Sequence, residues 1–256
     1  MNNLEILKIA MAQSAEDISC AAEDFEKDEN VIVFSKENEK ARKYLKLPFS
    51  CQLVSYGKNI VASVAPELGE ITRDYINRFT FYHCFETPNM HVLSEKLRPH
   101  GLDVCFMAEY FLPDVQALKA LPCPYELRVL TAEDFSELYL PEWSNALCES
   151  RKHLDVLGVG AYDGDTLIGL AGCSADCEAM WQIGVDVLPS HRKKGVASAL
   201  TSRLALEILA REKVPFYCCA WSNIASARNA IRSGFRPAWV EMTAKPKELI
   251  QEMNEA

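Results

Sequence analysis

No apolar run in this 256-residue chain approaches the roughly 20 residues a membrane-spanning helix requires, so no such span and no membrane partner is expected. Positive charge is scarce too. The 27 Lys and Arg against 36 Asp and Glu leave a net charge of -9, which argues against nucleic acid as a partner and suits a cationic substrate such as an amine. Met1-Asn2-Asn3-Leu4-Glu5 lacks the basic start and apolar core of a secretory signal, so a cytoplasmic location is expected. No internal repeat or low-complexity stretch is visible. Cysteine is abundant, with ten residues, but no two are spaced C-x-x-C; buried thiols and no metal are expected.

The most informative stretch runs from Val185 to Ala197. A strand over Met180 to Leu188 ends in Pro189-Ser190-His191-Arg192-Lys193-Lys194-Gly195-Val196-Ala197, and a helix continues from Ser198 to Arg211 with Leu200, Leu204, Ile208 and Leu209 at helical spacing. The start of that helix offers free backbone N–H groups and a positive dipole end, which suit an anion. Gly195 lets the backbone approach a ligand, Ala197 keeps the first turn slim, and Arg192, Lys193 and Lys194 add positive charge. The plainer alternative is a basic loop before an ordinary amphipathic helix.

The chain beyond Arg211 decides between them. Val214 to Trp221 reads as a second strand, then come Ser222-Asn223, a helix over Ala225 to Ser233, and Gly234-Phe235. The order of strand, R-x-x-G-x-A, helix, strand, Asn, short helix and Gly-Phe resembles the GNAT superfamily of acyl-CoA-dependent N-acetyltransferases. Upstream, Tyr125 to Leu130 looks like that family's opening strand. Thr131 and Asp134 are placed as a helix capping box, and Asp163-Gly164-Asp165 turns a hairpin between Gly158–Tyr162 and Thr166–Cys173. The expected fold class is mixed α/β: a GNAT-like splayed mixed sheet flanked by helices over 123–256, and a smaller α/β module of unknown role over 1–122, divided at Leu121-Pro122-Cys123-Pro124.

In the N-terminal module the pattern predicts helices over Leu4–Phe25, Lys36–Leu47, Leu68–Phe79 and His91–Leu97. Strands are predicted at Val31–Phe34, Gln52–Ser55, Asn59–Val64 and Val104–Tyr110, and a short helix from Leu112 to Lys119. His83, Cys84, Glu86 and His91 admit a metal cluster or a nucleophile with its base. Packing of Phe81, Tyr82 and Phe85 around a helix start at Thr87-Pro88 is the simpler account.

The resemblance implies acetyl-CoA as co-substrate. Its pantetheine arm would lie along the backbone at Val185 and Val187, and its diphosphate would meet Arg192, Lys193, Lys194, Gly195, Val196, Ala197 and Ser198. Asn223 would contact the arm, although a helix cap is its structural alternative. Ser226 would hydrogen-bond the departing thiolate, with a cap again the alternative. Many members carry a tyrosine four residues before the Gly-Phe glycine as acid for the leaving sulfur; this chain has Ala230 there. Because a thiol has a pKa of about 8.5, the loss is tolerable.

The attacking amine demands more, since holding a group of pKa about 10.4 neutral at pH 7 costs roughly 4–5 kcal/mol. Asp186, alternating with Val185 and Val187, is the candidate base or water-orienting group, against a structural ion pair. Glu178, Glu149 and His153 are weaker candidates, and His191 reads as a solvated loop residue. Glu142, Glu149 and Asp155 lie where an ammonium acceptor would border them, and Trp143, Trp181, Trp221 and Trp239 would either wall the acceptor site or pack in the core.

The expected function is transfer of an acetyl group from acetyl-CoA to a primary amine by direct attack in a ternary complex, most simply a small-molecule amine. A non-catalytic acyl-CoA sensor and an enzyme acting on protein N-termini are the alternatives. A homodimer is compatible with the sequence.

Overall fold

Leu167 to Cys173 is apolar without alternation, as befits a strand covered on both faces, and Leu200, Leu204 and Ile208 repeat at helical spacing to cover one of them. The computed structural model describes residues 1–255. In chain order it has α1 (Asn3–Ile18), β1 (Val31–Phe34), β2 (Cys51–Ser55), β3 (Val61–Val64), α2 (Gly69–Arg78), α3 (Thr87–Leu97), β4 (Leu102–Pro113) and β5 (Glu126–Thr131). Next come β6 (Asp155–Asp163), β7 (Thr166–Ser174), β8 (Met180–Val187), α4 (Val196–Leu209), β9 (Val214–Ala220), α5 (Ile224–Arg232), β10 (Phe235–Pro246) and α6 (Lys247–Glu255). The fold is mixed α/β.

Two compact units divide the chain, Met1–Ala10 with Phe111–Pro237, and Met11–Tyr110 with the chain from Ala238 onward. The paired prolines at 122 and 124 therefore lie inside the first unit. The C-terminal residues join the second because β10 pairs antiparallel with β2, from Val240↔Ser55 to Ala244↔Cys51.

In the first unit the strand order is β9-β8-β7-β6-β5, antiparallel except for the parallel β8–β9 pair. Val196, Leu200, Leu204 and Ile208 of α4 pack with Val159, Ile168, Ile183 and Val187 of the sheet. Burial of each such side chain contributes roughly 1.5–3 kcal/mol. The capping box forms, Thr131 N–H donating to Asp134 Oδ2 at 2.8 Å, but the helix it caps is one 3₁₀ turn, Ala132–Phe135. The helix expected over Leu112–Lys119 is absent: β4 continues to Pro113, and Ala117 and Leu118 N–H close a turn on Asp114 O. That turn lies against Gly234, where a Cβ would come within 2.6 Å of Leu118 Cα.

The second unit has the strand order β1-β3-β2-β10-β4, with β1–β3 parallel. Leu53, Ile60, Ala62 and Val64 pack there against Tyr75, Ile76, Leu93 and Leu97. The helix α1, whose residues from Met11 onward belong to this unit, stops at Ile18, before left-handed Ser19 (φ 64), and a 3₁₀ turn over Ala22–Glu26 comes after it. The helix expected over Lys36–Leu47 does not form. The buried Arg42 is drawn into an ionic cluster instead: its backbone N–H donates to Asp17 Oδ1 at 2.8 Å, Nε to Asp17 Oδ2 at 2.5 Å, and an Nη to Glu241 Oε1 at 2.7 Å. A helix would carry that N–H away from Asp17.

The His83–Cys84–Glu86–His91 group does not assemble. Cys84 and Phe85 are buried, and His83 Nε2 only approaches Glu86 at 3.9 Å. No group of three His, Cys, Asp or Glu among the described residues is arranged to hold a metal ion. All ten cysteines are free, and burial pushes the thiols of Cys51 and Cys84 up to about 12. No helix among the described residues is long and apolar enough to cross a membrane.

Candidate active site

β8 and β9 pair from Met180↔Val214 to Ile183↔Tyr217 and then part. Beyond that point the edge of Gly184 to Asp186 facing β9 has no strand partner, so an extended arm can add to it through backbone hydrogen bonds. Val185 and Val187 turn their side chains into the core with α4, so only their backbone bears on the opening. The Val187 carbonyl is already taken by Arg192 Nε at 2.8 Å.

At the open end β8 leads into the basic turn. Pro189–His191 makes a 3₁₀ turn, Lys193 (φ 62) and Gly195 (φ 82) are left-handed, and α4 begins at Val196. The first helical hydrogen bond is Ala199 N–H to Gly195 O, so the amides of Val196, Ala197 and Ser198 precede the helical ladder. Two nearby left-handed residues and a helix N-terminus make a concave anion nest. A Cβ built on Gly195 meets nothing within 4 Å, so the space before these amides is open and fits a diphosphate. Lys194 Nζ donates to Tyr125 OH at 3.1 Å, and Lys193 is exposed. The Ser198 hydroxyl donates inward, to Asn229 Oδ1 at 3.0 Å, leaving its backbone N–H for the cradle.

The opposite face of the sheet carries a row of glycines, Gly158↔Gly172↔Gly184 across β6, β7 and β8. The strap through Trp143–Leu147 lies on Gly172 and Gly184 of that row by its backbone. A Cβ on Gly172 would stand 2.2 Å from Ala146 O, and one on Gly184 1.8 Å from Asn145 O. Asp186 clamps this strap, accepting from Asn145 N at 2.8 Å, Asn145 Nδ2 at 2.7 Å and Ala146 N at 3.0 Å. The carboxylate is thus engaged in positioning the strap.

Asn223 caps α5, its Oδ1 accepting from Ser226 N at 3.1 Å, while the Ser226 hydroxyl lies 2.7 Å from the Tyr217 hydroxyl. Ala230 is fully buried in the core, with no polar group to offer. Tyr217 was not singled out from sequence; its register opposite Ile183, where the strands part, gives it significance. Asn145 and the glycine row were also missed, although three glycines inside strands signal close backbone approach.

The weaker candidates scatter. Glu142, Glu149, His153 and Glu178 are exposed. Asp155 is buried and accepts from Cys148 N at 2.9 Å, so it is no surface for an ammonium group. His191 lies between Ser190 Oγ at 2.9 Å and Asp163 Oδ2 at 3.5 Å. Trp143 packs with Phe135 and Leu147, Trp181 is half-buried, Trp221 is exposed, and Trp239 stacks on Tyr110 in the second unit.

A sequence model of the family described as GNAT acetyltransferase matches residues 110–238, nearly the Phe111–Pro237 segment of the first unit. The chain belongs to this family. GNAT structures similar to it include an acetyltransferase from Colwellia psychrerythraea at 12% identity, covering 96% of this chain and 98% of that one with a TM-score of 0.46. A GCN5-related N-acetyltransferase-like protein from Streptococcus suis matches at 18% identity over 61% of this chain and 69% of that one, with a TM-score of 0.45. A GNAT-family acetyltransferase from Novosphingobium aromaticivorans matches at 19% over 56% and 66%, with a TM-score of 0.42. The chain thus spans about two thirds of the length of the last two. No curated protein matches it.

Proposed function

We propose that this GNAT protein transfers an acetyl group from acetyl-CoA to a primary amine by direct attack in a ternary complex. The observation that carries this reading is the parting of β8 and β9 above a basic turn whose open space lies before free helix amides. Acetyl-CoA would supply the activated acyl thioester. Arg192, Lys193, Lys194 and the amides of Gly195 to Ser198 hold the diphosphate, the backbone at Val185 and Val187 aligns the arm, and Asn223 closes the far side. Ser226 faces the sulfur.

Asp186 keeps the strap in place, and Oδ1, which accepts one hydrogen bond in the fold, retains a lone pair with which to orient a water that takes the amine proton. The net charge of -9 favours an ammonium-bearing substrate, and the protein acts in the cytoplasm on a small-molecule amine.

Calorimetric titration with acetyl-CoA tests the reading, beside Gly195→Glu, which fills the open space and repels the diphosphate. Lys193→Glu leaves Gly195 in place and keeps the test valid if the glycine variant misfolds. Micromolar binding weakened at least about tenfold in the variants supports the reading, and absence of binding to the unaltered protein ends it.

A further inference from the structure

β1 is the outer strand of the second unit and pairs with β3 alone. Val31 N–H donates to Ile60 O at 2.9 Å, and Ser35 N–H to Val64 O at 3.0 Å. Alternation along a parallel ladder then turns the N–H and C=O groups of Val31 and Val33 toward β3 and those of Ile32 and Phe34 toward the free side. Among the described residues nothing in the chain pairs with these outward groups. The edge is also unguarded. Val31-Ile32-Val33-Phe34 carries neither charge nor proline, and Phe34 is 51% exposed. The outer strand of the first unit, β5, is protected by contrast, with Glu126 and Arg128 paired at 2.7 Å along it.

We propose that a second copy of this chain adds to β1, antiparallel and about a two-fold axis at Ile32, so that one sheet runs through both copies. In an antiparallel ladder, residues directly opposite each other either both offer their backbone groups to the partner or both turn them away. A two-fold pairing of β1 must therefore centre on a residue rather than between two. The flanking charges select which. Centring on Val33 sets Glu29 against Glu37 of the second copy, centring on Phe34 sets Lys36 against Ile32, and centring on Val31 sets Asp28 against Phe34. Centring on Ile32 sets Asp28 against Lys36 and Lys27 against Glu37, each twice by symmetry, with Val31 opposite Val33 between them. All four of these charged residues are exposed. Lys36 has no ion-pair partner among the described residues, and Asp28 engages Lys58 through Oδ1, at 2.9 Å, leaving Oδ2 for the second copy. The surface is thus complementary to itself in one register, and its outward amides and carbonyls gain partners there.

Sedimentation velocity on the whole chain from about 1 to about 100 µM, with hydrogen exchange read at single residues, tests this. The unaltered protein should dimerise across that range. The Ile32 and Phe34 amides should exchange more slowly as it does, while Val33, already held by β3, changes little. Phe34→Pro removes an outward N–H and no ladder bond, and should leave a folded monomer. Lys36→Glu sets like charges opposite each other twice and should weaken the dimer about tenfold, and adding Asp28→Lys restores opposite signs and the dimer with them. A monomer throughout the range overturns the inference. So does a dimer whose Ile32 and Phe34 amides exchange equally fast at both ends of it, or one that neither Lys36→Glu nor the double variant alters. None of these outcomes bears on acetyl transfer, whose proposed site lies in the first unit.

Discussion

Replacing Gly184 with alanine places a Cβ 1.8 Å from Asn145 O and 2.8 Å from the same residue's carbonyl carbon. Both contacts are backbone, so no side chain can swing aside. The strap must retreat by roughly 1.5 Å to restore ordinary contact, and overpacking of this kind costs about 1–3 kcal/mol. The same movement stretches the hydrogen bonds from Asn145 N and Ala146 N to Asp186, now 2.8 and 3.0 Å. Bonds to a carboxylate contribute about 1.5–3 kcal/mol when fully buried, and less at this half-exposed site.

Together these terms give a loss of about 3 kcal/mol for Gly184→Ala. In a unit of this size 1 kcal/mol moves the thermal midpoint by roughly 3–5 °C, so scanning calorimetry should show a fall of about 9–15 °C in the transition of the first unit. Asp186→Asn removes part of the same clamp. The double variant should therefore lose less than the sum of the two singles. A midpoint for Gly184→Ala within about 2 °C of the unaltered protein, or strict additivity of the pair, refutes the clamped strap.

Arg42→Met leaves Asp17 and Glu241 buried without their cation and should cost about 3–5 kcal/mol by chemical denaturation, with the transition confined to the second unit. Burial, outweighing the Arg42 charge, already holds Asp17 above the ordinary carboxylate value. A carboxyl raised in the folded state gains stability as pH falls through its folded value toward the unfolded one, so the deficit of Arg42→Met should shrink on acidification; a pH-independent deficit contradicts this. Asn223→Ala removes the cap on α5 and should lower stability by about 1 kcal/mol, read from the denaturation midpoint. Gly195→Ala meets no atom within 4 Å but must hold φ near 82°, and should cost about 1–2 kcal/mol in the same assay.

The turn and helix of the proposed cradle were legible as local structure because their signals are local. Gly195, the basic triplet and the apolar spacing of α4 lie within one stretch of chain, and each dictates conformation through its own backbone or helix face. The helix expected over Lys36–Leu47 failed for the opposite reason: charged residues with good helix propensity contain Arg42, whose partners Asp17 and Glu241 are far away in sequence. Likewise β4 ran on to Pro113 where a short helix was expected, and the chain from Ala238 joined the second unit through a pairing with β2 that no local pattern announces.

By itself the sequence determined the succession of strand, basic turn, helix, strand and capped helix, because caps, turns and periodicity act over a few residues. Only the tertiary structure decided how Asp186 is used, by laying the Asn145 amides on it across a row of glycines. It also decided that the hydroxyl beside Ser226 belongs to Tyr217, nine residues earlier and on another element. Such contacts depend on which strands pair and where they part, and strand pairing is settled by the burial of whole faces rather than by any residue's own preference.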